Sequence, residues 1–169
     1  MQSPPRFQAY SELDSTRLST VSKYSPKRKE HNQFCITEKV HGSNFQLTTD
    51  GVNVWHGKRS GYLGTEVSVN GCEAVLTRYS PMVISLWNEM KQKPGSCITV
   101  FGELFGGGYP GMVRLPTVLQ DSKQKVTKPV QNGIWYSPSV DFYAFDIYDH
   151  STTSYLEFAT TLRLFEQCG

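Results

Sequence analysis

A lysine at the end of an apolar run, followed within five residues by a histidine, a glycine and an asparagine, has the makings of a chemical site. Residues 37–45 read Thr-Glu-Lys-Val-His-Gly-Ser-Asn-Phe. An ammonium held near a low-dielectric wall is driven toward the neutral amine, so Lys39 is the candidate nucleophile. Gly42 lets the backbone turn sharply and approach a ligand. Asn44 offers both a donor and an acceptor, to a ribose or to the backbone. On these residues alone a plain strand-to-turn corner with an exposed lysine accounts for the segment as well.

Positioning such a site requires elements around it. The apolar run Phe34–Val40 predicts a strand that delivers Lys39. Phe45–Thr48 and Val52–Trp55 alternate apolar and polar residues around Asp50-Gly51, which predicts a hairpin with a two-residue turn of positive φ. Ser80–Lys93 reads as a helix: Ser80 caps, Pro81 sits in the first turn, and Val83, Leu86, Trp87 and Met90 share a face. Pro94-Gly95 stops it. Strands are expected at Ile98–Phe105, Val140–Tyr148 and Tyr155–Phe158, with a short one at Gly133–Tyr136 inside a loop-rich stretch, and a last helix at Ala159–Gln167. The pattern is mixed and mostly antiparallel, which is the α+β class. Residues 1–32 are polar and aperiodic and read as an arm; 33–169 read as the folded domain.

Composition narrows the setting more than the function. A hydrophobic share of 38% can build a core, which excludes a disordered chain. The net charge of +2 says little about partners, but Lys23, Lys27, Arg28 and Lys29, and again Lys123, Lys125 and Lys128, form local basic clusters that could touch phosphates or simply face solvent. The four cysteines show neither metal-ligand spacing nor a disulfide framework; Cys35 and Cys97 lie in apolar runs and are expected to be core residues. A reducing intracellular compartment, cytoplasm or nucleus, fits this usage. The basic, Ser-rich N-terminus leaves a mitochondrial address open. No apolar run reaches the roughly 18 residues of a membrane span.

Four segments together carry a resemblance. Lys39-Val40-His41-Gly42-Ser43-Asn44 resembles motif I of the ATP-dependent RNA ligases of the RNA ligase 2-like family, which includes the RNA-editing ligases. Gly57-Lys58-Arg59-Ser60-Gly61 is similar to the next conserved element, Phe101-Gly102-Glu103-Leu104-Phe105-Gly106 to motif III, and Asp141-Phe142-Tyr143-Ala144-Phe145-Asp146-Ile147 to motif IIIa. They stand in family order over residues 34–148, and the run Gly107–Pro110 looks like the editing-ligase branch. Capping enzymes and most DNA ligases carry Asp where this chain has His41, which favours RNA joining over those relatives.

The resemblance implies a nucleotidyltransferase (ATP-grasp-like) adenylation domain of two antiparallel sheets flanked by helices. It implies that Lys39 takes AMP from ATP, passes it to an RNA 5′-phosphate, and that a 3′-hydroxyl then seals the RNA with release of AMP. By position, Glu38 would lie near the adenine, Glu103 would bind the ribose, Phe145 would stack on the adenine, and Arg59 would contact the phosphates or an RNA end. His41 would serve the later, RNA-dependent steps, Asp146 would support the metal or the lysine, and Mg²⁺ would neutralise phosphate charge. Plainer readings stand beside these: Glu38 as a solvated acid, His41 as a turn residue, Arg59 as an exposed strand end, and Phe142 instead of Phe145 as the inward aromatic of its strand. The family's later elements, a metal-binding glutamate and a Lys-x-Lys strand, are not found before Gly169. The chain is therefore expected to be a truncated product that adenylylates poorly or not at all, the alternative being a catalytically incomplete RNA- or nucleotide-binding remnant.

Overall fold

The computed structural model describes residues 3–11, 37–64, 71–108, 129–134 and 136–168. These fall into two compact units, Met1–Ala9 with Val40–Gly169, and Tyr10–Lys39, each taken by itself here. In the second, Thr37, Glu38 and Lys39 are exposed and form no regular element. Both basic clusters lie outside the described residues.

The first unit is built on one sheet. Its strands are β1 (Ser43–Thr49), β2 (Val54–Lys58), β3 (Gly61–Tyr62), β4 (Ile98–Gly106), β5 (Val140–Asp149) and β6 (Ser154–Tyr155). The order is β3-β2-β1-β4-β5-β6, and every neighbouring pair is antiparallel. Among the described residues two helices, α1 (Glu73–Glu89) and α2 (Phe158–Cys168), complete the α+β fold.

Strand alternation divides the sheet into two unlike faces. One carries Phe45, Leu47, Ile98, Val100, Leu104, Phe142 and Ile147, which form the core with Val75, Val83 and Leu86 of α1 and Leu164 of α2. Phe142 packs edge-on to Phe45 and to Tyr79, with ring centroids 5.9 and 5.7 Å away. The Tyr79 hydroxyl donates to Asp141 Oδ1 at 2.6 Å, and burial with that carboxylate pushes its phenol up to about 12. The other face is polar along β1, where Asn44, Gln46 and Thr48 pair with Glu103, Phe101 and Thr99 of β4. Gln46, Thr48 and Thr99 are fully buried there. The two threonine hydroxyls share a hydrogen bond of 2.8 Å, and Thr99 Oγ1 also meets His150 Nε2 at 2.8 Å. Neither amide atom of Gln46 has a partner among the described residues. Phe7 reaches this region, its ring edge-on to Tyr62 at 5.1 Å.

Several expectations need correction. Residues 37–40 form no strand, and β1 starts only at Ser43; Phe34–Ile36 lie outside the described residues. The hairpin loop has four residues rather than two, because Thr49 pairs with Val54. Asp50 closes it as an Asx turn, its Oδ1 accepting the Val52 and Asn53 N–H groups at 2.9 and 2.7 Å. Only Gly51 takes positive φ (89°), and a side chain there would run into the Trp87 ring 2.6 Å away. Helix α1 starts seven residues before Ser80 and holds Pro81 in its interior. Proline removes one N–H but not the apolar stripe through Val75, Val83 and Leu86 that buries the helix. Gly133–Tyr136 is no strand, with residue 135 outside the description. The described residues form one six-stranded sheet rather than two. Cys72 is the buried thiol, while Cys97 is half-buried and Cys35 is not described. Helix α2 starts within one residue of the expected position.

Candidate active site

The motif I backbone is held from two sides within the first unit. The Gly42 N–H donates to Glu103 Oε1 at 3.1 Å. The preceding N–H, of His41, donates to the Tyr136 hydroxyl at 3.2 Å. Gly42 does not need positive φ. It needs the absence of a side chain: a Cβ would overlap the Leu104 carbonyl oxygen and stand 3.0 Å from Glu103 Cγ. The close approach foreseen for Gly42 is thus to the β4 backbone.

A second glycine prepares the same strand. A side chain at Gly102 would collide with the Phe142 ring, so Phe-Gly-Glu places an empty core position beside the glutamate. Glu103 sits on the polar face, directly opposite Asn44 on β1 and Tyr143 on β5. Asn44 Oδ1 is buried and has no hydrogen-bond partner among the described residues. A buried acceptor of this kind costs free energy until a donor meets it, and a ribose hydroxyl is such a donor.

Strand β5 carries a bulge. Phe101 pairs with Asp146 and Gly102 with Ala144, so Phe145 is the extra residue. Bulges re-aim side chains and gather near active sites. Phe142 is the core aromatic (5% exposed), and Phe145 is half-buried on the bulge. Asp146 follows, its Oδ1 accepting the Ile147 N–H at 3.0 Å. Arg59 is exposed in the tight β2–β3 turn.

The structure therefore brings Gly42, Asn44 and Glu103 together, sets Phe145 and Asp146 on the bulge of the strand beside β4, and puts Arg59 just past the end of β2, where Lys58 pairs with Phe45, the residue after Asn44. Lys39 and Glu38 belong to the other unit; both are exposed and in no regular element, so burial is not the setting of Lys39. Among the described residues no group of three His, Cys, Asp or Glu side chains could hold a metal ion. Tyr136 was not anticipated. Its contact with His41 spans 95 residues, and no local pattern marks it.

Comparison with known proteins gives the fold and the family. A variant of a Naegleria gruberi RNA ligase, solved with ATP and Mn, superposes with a TM-score of 0.57 at 18% identity over 94% of this chain and 39% of its own. An archaeal ATP-dependent RNA ligase superposes at 0.53 with 16% identity over 96% of this chain and 35% of its own. The fold is that of RNA ligase nucleotidyltransferase domains. The RNA ligase family model matches residues 32–169, and the chain belongs to that family. The mitochondrial RNA-editing ligase 2 of Trypanosoma brucei brucei is 30% identical over 151 residues, which cover 83% of this chain and 36% of that protein. The chain thus spans a little over a third of the relatives it matches.

Proposed function

We propose that this chain carries the nucleotide-binding front of an ATP-dependent RNA ligase, with Lys39 as the residue that receives AMP. The observation that carries the reading is the joint of motif I with motif III: the Gly42 N–H on Glu103, beside the buried acceptor of Asn44. A carboxylate and an amide oxygen on paired residues are acceptors suited to ribose hydroxyls, which supports the reading.

In the first step the Lys39 amine attacks the α-phosphorus of ATP in line. An N–P bond forms, the bond to pyrophosphate breaks, and the amine proton leaves to solvent. A phosphate oxygen of an RNA 5′-end then attacks the lysyl-AMP phosphorus and frees Lys39. Last, an RNA 3′-hydroxyl attacks the activated 5′-phosphate and AMP leaves. All three steps are displacements at phosphorus, so positioning and charge neutralisation dominate catalysis. In this reading Glu103 and Asn44 hold the ribose, Phe145 stacks on the adenine, Glu38 lies near it, and Arg59 grips phosphate through its planar donor fork. His41 serves the RNA-dependent steps. Mg²⁺, when bound, neutralises phosphate charge; with Asp146 as the one protein carboxylate assigned to it, phosphate oxygens and water would supply its other ligands. The setting proposed is a reducing intracellular compartment, and the name of the trypanosome relative places that protein in the mitochondrion.

The test is prolonged incubation with α-labelled ATP and Mg²⁺, followed by denaturing electrophoresis, for the chain and for Lys39→Ala. Weak acid-labile label on the chain, absent from the variant, is expected. Label that persists in Lys39→Ala would remove Lys39 from its role, and no label on the chain would count against the reading.

A further inference from the structure

We infer that Tyr136 is a positioning residue for the nucleophile segment, acting through the His41 peptide and not on the nucleotide. The inference rests on the ligase reading above. The two tethers on this segment differ in kind. Glu103 can hold Gly42 and also face a ribose, whereas among the described residues the Tyr136 hydroxyl has one hydrogen bond, from the backbone N–H of His41 at 3.2 Å. His41 lies two residues after Lys39, so its peptide is the anchor on the C-terminal side of the nucleophile.

The hydroxyl is delivered by a segment that is itself fastened. The Val130 N–H donates to the Gly106 carbonyl at 2.8 Å, which ties the connection to the end of β4. Gly106 has φ of 84°, and a side chain there would overlap the Ser139 carbonyl oxygen, so the chain returns to β5 in close contact with β4. The Tyr136 ring packs edge-on to Phe105, centroids 6.0 Å apart. The ring thus has a fixed seat, and its hydroxyl has one polar task. Tyr136 is 40% exposed, so its replacement by phenylalanine leaves the core and the Phe105 contact in place.

One neutral hydrogen bond contributes roughly a fivefold bias toward the bonded state. Tyr136→Phe is therefore expected to speed amide exchange at His41 about fivefold, read by NMR on the full chain. It should lower the maximal labelling rate of Lys39 by a similar factor, leave the ATP concentration for half-maximal rate unchanged, and lower Tm by no more than about 4 °C, the shift that one such bond accounts for. A loss of general stability would move Tm further, and a nucleotide contact would move the ATP dependence. If the wild-type chain labels and the variant matches it in exchange at His41 or in maximal rate, this inference is overturned while the ligase reading stands. If the wild-type chain takes no label at all, the ligase reading fails and the inference goes with it.

Discussion

Gly42→Ala isolates the steric part of the motif I joint. Gly42 does not have the positive φ that would make any side chain costly, so the penalty is one of space. The added methyl would overlap the Leu104 carbonyl oxygen and come within 2.9 Å of the carbonyl carbon. Both belong to Leu104, which is paired on two sides, with Ser43 of β1 and Phe142 of β5, so they cannot step aside cheaply. Overpacking of this sort costs about 1–3 kcal/mol. Moving the Gly42 peptide away also stretches its bond to Glu103, and a hydrogen bond to a charged group contributes about 1.5–3 kcal/mol. The two losses overlap, since one displacement causes both; about 3 kcal/mol is a fair total, or a fall of roughly 6–12 °C in Tm for a domain of this size. Gly95→Ala is the control. It has φ of 87° but nothing within 4 Å of the new methyl, so it bears only the dihedral cost of about 1 kcal/mol. Thermal unfolding followed by circular dichroism compares the two. A Gly42→Ala chain that melts no lower than Gly95→Ala would show that the joint is loose and would undo the reasoning.

Two further outcomes are expected. His56 and His150 are half-buried, and burial lowers both below the usual 6.5. A lowered folded value means that the unfolded chain binds the proton first, so this stability is complete above about pH 6.5 and drains as the pH falls through it. Asp50 and Asp149 add a further loss below 3.8, because hydrogen bonds to their carboxylates outweigh the opposing effect of burial. Tm should therefore be lower at pH 5.5 than at pH 8, and a flat or rising profile would refute the burial of the two imidazoles. Gln46→Met replaces a buried amide that has no partner among the described residues with a side chain of similar shape. It should raise stability by about 1–2 kcal/mol, or roughly 3–6 °C in Tm, and a fall would mean that the amide makes hydrogen bonds that matter.

What could be read in the sequence depended on how local its cause was. Strands β4 and β5 are long apolar runs with strong β formers, and helix α2 carries a clear apolar stripe, so each was legible within a residue or two. The start of α1 was not, because Cys72 makes no side-chain capping bond and Pro81 imitates a first turn. The Asp50-Gly51 signal marked the hairpin but not its length, since the Asx turn draws in Val52 and Asn53. The division between Phe142 and Phe145 could not be settled by alternation, because the bulge that separates them is a property of the pairing with β4. Tyr136 is the extreme case, a contact made only by the closed fold.

The glycines of the candidate site answer to neighbours on the strands next to them. Gly42 is small because the Leu104 carbonyl lies against it, and Gly102 is small because the Phe142 ring does. Between them stands Glu103, which holds the Gly42 peptide and faces Asn44. Residues that look like a signature of chemistry are therefore also a signature of packing. Loss of Glu103 would release the Gly42 N–H as well as remove the proposed ribose acceptor, so a fall in activity there could not by itself be assigned to nucleotide binding. Gln at that position keeps an oxygen for the Gly42 N–H while removing the charge, which makes Glu103→Gln the substitution that separates the two roles.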